Sequence, residues 1–210
     1  MGHRAMVRRL LGLAVSIGLA GCAVSDPTQY YTLGQSAAGR AESRVSTSPP
    51  AGSAASTGIM IGVGPVIMPS YLERVQIVTR TGADQVDLSQ YHRWAEPLED
   101  GVARILAEEI SARVPTERIV VFPWRGIVAR AITNQVVVTV LRFDGRPGGE
   151  VTLDTRWRIL GKNGEELALR RSTLTETAAG PGYEPMVAAM SRAVVILGQE
   201  VAAEIRALPR

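Results

Sequence analysis

Between Asn134 and Thr177 the sequence carries three strand-like stretches in succession, with nothing between them long enough to be a crossover helix. The middle one, Val151–Leu160, alternates. Val151, Leu153, Thr155, Trp157 and Ile159 fall on one face, and Thr152, Asp154, Arg156 and Arg158 on the other. A period of two with one polar side is the mark of a strand with one wet face. The stretch before it, Asn134–Asp144, holds Val136-Val137-Val138-Thr139-Val140-Leu141, apolar on both faces as a central strand covered on two sides would be. Leu167–Thr177 follows. The connectors are Gly145–Gly149, with Pro147, and the turn Lys162-Asn163-Gly164. Links this short return the chain antiparallel, whereas parallel neighbours need a crossover of a dozen or more residues. A purely parallel, doubly wound sheet is therefore excluded.

Two helices and further strands complete the pattern. Leu98, Val102, Leu106, Ile110 and Val114 recur every four residues, with Ile105 beside them, which predicts a helix over 95–114. Pro97 suits a first turn, Glu99 and Asp100 favour that end electrostatically, and Pro115 stops the helix. A last helix over 184–208 has a seam of Val187, Met190, Val194, Leu197, Val201, Ile205 and Leu208. Shorter strands are expected at Ile59–Val66, Val75–Thr79, Gln85–Leu88 and Ile119–Phe122, the middle two as a hairpin around Gly82. Gly62 and Gly64 echo a dinucleotide loop, but Pro65 follows and no third glycine opens a helix, so close backbone packing is the better reading. The expected architecture is α/β: a single domain with a mixed β-sheet and two main helices packed on it.

The first 21 residues have a different character. Arg4, Arg8 and Arg9 precede an apolar run, Leu10–Leu19, too short at about ten residues to span a bilayer, which takes roughly 20. These are the length and flanks of an export signal. It ends in Leu19-Ala20-Gly21-Cys22, a lipobox, in which the thiol of Cys22 receives a diacylglyceryl group before the peptidase cuts. Cys22 is the only cysteine of the chain, so no intrachain disulfide exists, and acylation removes a thiol that an oxidising compartment would attack. Removing residues 1–21 also removes three of the 23 basic residues and none of the 20 acidic ones, leaving 20 of each. The basic isoelectric point thus belongs largely to the signal, and no clustered basic run points to nucleic acid. No second apolar segment is expected to cross a membrane.

Residues 35–58 hold a single sizeable aliphatic residue, Val45, and no aromatic, which reads as a flexible linker. Treated as a random coil, its 24 residues span roughly 25–30 Å and would give the domain reach from its anchor. Ahead of it, Tyr30-Tyr31-Thr32-Leu33 is a strand-like island that either docks as an edge strand or belongs to the tether. The organisation is then a signal over 1–21, a lipid-anchored segment and linker over 22–58, and a periplasmic domain over 59–210.

Catalytic chemistry needs convergent titratable groups. The chain after the signal has one histidine, His92, beside Tyr91 and Trp94, where packing or capping is the expected role. The carboxylate pairs Glu99-Asp100, Glu108-Glu109 and Glu165-Glu166 are sequence neighbours that point apart or into solvent. There is no nucleophile elbow and no phosphate loop. No catalytic residue, metal site or cofactor is expected. Tyr71, Arg74, Trp94, Trp124 and Arg125 place aromatics beside arginines near element ends, and these residue types favour interfaces. They are the candidate partner contacts, with burial under loops the competing role for the two tryptophans.

Several stretches, taken in order, resemble a known family. Tyr30-Tyr31-Thr32-Leu33 follows the lipobox. Then come Ile61-Gly62-Val63-Gly64-Pro65-Val66, Pro69-Ser70-Tyr71-Leu72-Glu73-Arg74, Arg93-Trp94-Ala95-Glu96-Pro97-Leu98, Phe122-Pro123-Trp124, Phe143-Asp144 and Trp157, and the apolar C-terminal helix closes the series. Together they resemble the ABC-type transport auxiliary lipoproteins, the PqiC/YmbA group. The resemblance implies a periplasmic α/β domain, anchored by lipid at Cys22 to the periplasmic face of the outer membrane, that forms a ring-shaped homo-oligomer. It implies work with an MCE-domain (PqiB/MlaD-like) protein and an inner-membrane permease complex in lipid transport and envelope integrity, as a docking component and not an enzyme. Ala23, where an aspartate would favour retention in the inner membrane, agrees with outer-membrane sorting. The alternative is a periplasmic lipoprotein that itself binds a lipid or small apolar ligand.

Overall fold

The computed structural model describes residues 27–34, 58–116 and 118–209. The export signal, Cys22 and nearly all of the 35–58 linker lie outside the described residues. The strands are β1 (Gln29–Tyr31), β2 (Ile61–Ile67), β3 (Gln76–Arg80), β4 (Val86–Trp94), β5 (Ile119–Val121), β6 (Asn134–Gly145), β7 (Glu150–Gly161) and β8 (Glu166–Thr177). The helices are α1 (Leu98–Arg113), α2 (Gly126–Ala131) and α3 (Tyr183–Ala207). All eight strands belong to one mixed sheet, so the expected single α/β domain is the observed one.

The strand β6 is the spine of that sheet. On one side it pairs antiparallel with β7 over its whole length, and β7 pairs antiparallel with β8. On the other side β2 runs parallel to its first half and β3 meets its last residue, Gly145, so two short strands share one flank. Beyond them β5 pairs with β2, β4 with β3, and β1 with β4. The alternation of β7 holds residue by residue, since Val151, Leu153, Thr155, Trp157 and Ile159 are all buried while Arg156 and Arg158 are exposed. The Trp157 indole N–H donates to Ser172 Oγ at 2.9 Å, which satisfies its polar edge inside the core. Both faces of β6 are covered over Val136–Val138 and again over Phe143–Gly145, with a break between them. Val137 and Val138 are buried, but Leu141, at a register shift between Val140 and Arg142, is 38% exposed.

Both long helices lie on one face of the sheet, α1 over β2 and α3 over β7 and β8. Their close approach depends on Gly198, where a Cβ would come within 2.6 Å of the Glu109 side chain. On length and composition α3 could cross a membrane. That departs from the expectation drawn from the sequence, but most of its apolar window is buried in the domain, and Met186, Met190, Val194, Leu197 and Val201 are almost fully enclosed. The other long helix, α1, starts at Leu98, three residues after the expected start. Pro97, with ψ at 135°, is the non-helical cap residue and holds Glu96 out of the helical region, while the Ala95 amide donates to the Tyr31 carbonyl (2.8 Å).

The N-terminal island is docked. Its three residues add a parallel strand to β4, with Tyr31 opposite Trp94. Leu33 is 2% exposed and lies against Gly101 of α1, the Gly34 amide donates to Ser191 Oγ of α3, and Arg104 donates to the Leu33 carbonyl. The 35–58 stretch therefore connects two seated strands, β1 and β2, and gives no reach from Cys22.

The turn from β2 into β3 is held by Asp144, whose side chain is fully enclosed. Arg80 donates from Nε (2.8 Å) and Nη2 (2.7 Å), Arg142 from Nε (2.8 Å), and the Tyr71 hydroxyl at 3.1 Å. Burial alone would raise its pKa, but the hydrogen bonds from Arg80 and Arg142 outweigh it and hold the carboxyl below its ordinary value.

Two predictions follow from this packing. Leu33→Ala, although it lies outside the 59–210 block, should cost about 2–5 kcal/mol in urea unfolding of the chain beginning at Cys22; no loss would mean that β1 adds nothing to the fold. Asp144→Asn should cost about 3 kcal/mol or more at neutral pH, because it leaves Arg80 facing no carboxylate. The lowered pKa of Asp144 gives stability that is complete above about pH 4 and is lost as pH falls through the folded value. The gap between wild type and variant should therefore narrow below about pH 4 in unfolding midpoints measured across pH.

Candidate interaction surface

The five residues singled out from the sequence fall into two groups on different parts of the sheet. Tyr71 and Arg74 lie in the β2–β3 turn, and Trp94 ends β4. An open groove of about 440 Å³ brings Arg74 and Trp94 together with Val75 and the 95–99 segment that opens α1. Within this group only Arg74 is free to meet a partner over most of its surface. Trp94 is 5% exposed and belongs to the core, and Tyr71 is half-buried with its hydroxyl on Asp144.

Trp124 and Arg125 follow β5. The segment from Phe122 to Ile132 passes over the sheet face opposite the long helices, where Gly62 makes room for it. A Cβ at Gly62 would come within 2.9 Å of both Trp124 and Ile132. The Gly62/Gly64 pair thus serves close packing, as the sequence suggests. The ring of Phe122 stands edge-on to Trp124, with centroids 5.3 Å apart. Arg125 is the extended residue before α2, and no residue of that helix is buried.

The outcome is a run of exposed apolar side chains. Val121 is 41% exposed, Phe122 46%, Ile127 83% and Val128 40%, and in the same segment Trp124 is partly buried and Arg125 exposed. Single exposed apolar residues are ordinary, whereas a contiguous patch with an arginine rim is characteristic of contact sites. Sequence reasoning pointed to Trp124 and Arg125 but passed over Ile127 and Val128, because a six-residue helix with no buried face gives no periodic pattern.

His92 is a packing residue. Its ring stacks on Tyr183 with centroids 3.7 Å apart, and its Nδ1 lies 2.9 Å from the Tyr31 hydroxyl. The third carboxylate pair, Glu165-Glu166, sits at the exposed β7–β8 turn. Among the described residues no group of three or more His, Cys, Asp or Glu side chains could hold a metal ion. An apolar groove of about 500 Å³ lies between Ile59, Val114, Pro115, Ile205 and Leu208, where the two long helices end.

Comparison with known proteins agrees with this picture. The chain is 25% identical over 150 residues to the intermembrane transport lipoprotein PqiC of Escherichia coli K12, covering 71% of this chain and 76% of the relative; the Shigella flexneri protein of the same name matches equally. The crystal structure of an uncharacterized protein superimposes with a TM-score of 0.66 at 21% identity, covering 86% of this chain and 99% of that one. A Xanthomonas campestris protein does so with a TM-score of 0.57 at 15% identity, over 70% and 83% of the two chains. Both structures show the same fold. Residues 41–202 match the family described as the ABC-type transport auxiliary lipoprotein component, and the chain belongs to that family.

Proposed function

We propose that this protein is a non-catalytic docking component of an intermembrane lipid transport system, held by lipid on Cys22 at the periplasmic face of the outer membrane. Its partner in this reading is an MCE-domain protein supplied by an inner-membrane permease complex, and it works as a homo-oligomer. Family membership and the likeness to the intermembrane transport lipoprotein PqiC support a transport role. The lipobox and Ala23 support the anchor and its destination. The observation that carries docking is the Val121–Val128 patch, an exposed apolar surface backed by rigid packing of Trp124 on Gly62. Several acyl chains on one residue hold a protein stably, at about 0.8 kcal/mol per buried CH₂.

A second reading has one specific observation in its favour. The apolar groove where α1 and α3 end could hold a lipid tail or another small apolar ligand. Mass spectrometry of the purified protein separates the two: co-purifying lipid at near one molecule per chain supports a carrier, and its absence supports docking.

Two outcomes are expected for the docking reading. Cys22→Ser should release the protein from the membrane fraction, and full retention would remove the anchor from the proposal. Ile127→Asp should abolish recovery of an MCE-domain protein in pull-downs from membranes while leaving the melting temperature unchanged, since that side chain is 83% exposed. Undiminished recovery would place the partner contact elsewhere.

A further inference from the structure

The docking of β1 decides which end of the domain can reach a bilayer. Only six residues separate Cys22 from Gln29, the first residue of β1, so a lipid on Cys22 holds that strand within about 25 Å of the membrane even when the link is fully extended. Tyr183, at the start of α3, is at the same end, because its ring stacks on His92, the β4 partner of Gln29. The β6–β7 turn is there too, with Gly148 against Pro181. The opposite end, with the β7–β8 turn and the end of α3, is about 37 Å away along a helix of 25 residues.

The surface at the tethered end has a distinct composition. Four of the five tyrosines of the chain, Tyr30, Tyr31, Tyr91 and Tyr183, gather around β1 and its neighbour β4. Tyr31, His92 and Tyr183 form the packed group that seats the strand, whereas Tyr30 is 63% exposed and Tyr91 40%. A tyrosine combines an apolar ring with a polar tip, and such side chains collect where hydrocarbon meets headgroups. Next to the β6–β7 turn, a cavity of about 290 Å³ is lined by Arg80, Arg142, Arg146 and Glu150. Arg80 is committed to Asp144 and the Ala83 carbonyl, and Arg142 spends its Nε on Asp144. Three arginines against Asp144 and Glu150 leave one surplus positive charge, and guanidinium is the side chain that pairs most readily with phosphate.

We propose that the β1 end is a membrane-seating face, with Tyr30 and Tyr91 at headgroup level and Arg142 and Arg146 taking lipid phosphates. The proposal rests on the Cys22 anchor. It fixes the orientation of the domain, which a lipid on a flexible link would leave free.

The lone cysteine makes the test direct, since in the lipidated protein an added cysteine is the only free thiol. Thr28→Cys and Lys162→Cys, one at each end, are labelled with a polarity-sensitive dye on vesicles of phosphatidylethanolamine and phosphatidylglycerol. Emission at position 28 should shift to the blue on vesicle binding, and emission at position 162 should not. Adding Tyr30→Ser and Tyr91→Ser should abolish the shift at position 28 while the protein still floats with the vesicles. Arg146→Glu should make the shift insensitive to phosphatidylglycerol content. Equal shifts at both ends, or a shift that survives loss of both tyrosines, overturns the proposal. Failure of the lipidated parent to float with vesicles is a different result: it sinks the anchor reading, and the seating face with it.

Discussion

Tyr31 gives its carbonyl to the Ala95 amide, and the N-terminal half of the molecule is arranged around that bond. It extends β4 to its full nine residues, from Val86 to Trp94, by giving its end a parallel neighbour. The start of α1 is set by Pro97, whose ψ of 135° is non-helical and whose ring disfavours a helical Glu96, so the residues before Leu98 stay extended. The Tyr31 bond also places Leu33 where α1 and α3 converge, so that one buried leucine couples the start of the domain to both long helices. Three residues of strand and the leucine after them thus join β4, α1 and α3.

A second constraint is that β2 and β3 share one flank of β6. The chain must leave the sheet after Ile67 and re-enter at Gln76, and the turn between them has to be tied to the strand it skirts. Asp144 performs that role from inside β6, reaching Arg80 on β3, Arg142 on its own strand and Tyr71 in the turn. Two partly exposed guanidinium groups and a hydroxyl satisfy one enclosed carboxylate, which is the arrangement that makes a buried charge tolerable. The arginines remain open on their outer sides, so the same cluster that closes the fold lends positive charge to the surface beside it.

What was legible in the sequence depended on how local its cause was. The strand β7 could be read face by face because burial on one side of a sheet prints directly as alternation. The seam of α3 was equally plain. The length of β4 was not, since Ser89-Gln90-Tyr91-His92-Arg93 has no apolar alternation of its own and is strand only because β3 and β1 flank it. The seating of Tyr30–Leu33 was undecidable for the same reason: its partners lie about sixty residues away and no local pattern announces them. At the candidate surface, Trp124 and Arg125 stood out by residue type, but their setting came from Gly62, a position whose meaning is only that nothing else fits under the tryptophan. Trp94 looked identical by type and is core, because it packs in the buried cluster that includes Leu33 and Leu98.

These arrangements bear on how a tethered domain could meet a partner. With the link to Cys22 shortened to six residues, the domain does not range through the periplasm in the proposed reading, and whatever it contacts has to come to it. The exposed Val121–Val128 run follows β5, which pairs with the beginning of β2 and lies level with the beginning of β6. The tyrosines and the arginine cavity lie toward the end of β6, where β3 and β4 continue the sheet. The apolar patch is therefore displaced toward the end of the domain away from the anchor. A protein seated on lipid through one end and presenting apolar surface toward the other needs no catalytic group and no long reach to receive a partner arriving from the opposite membrane. The rigidity of the sheet between the two ends is what would hold that geometry fixed.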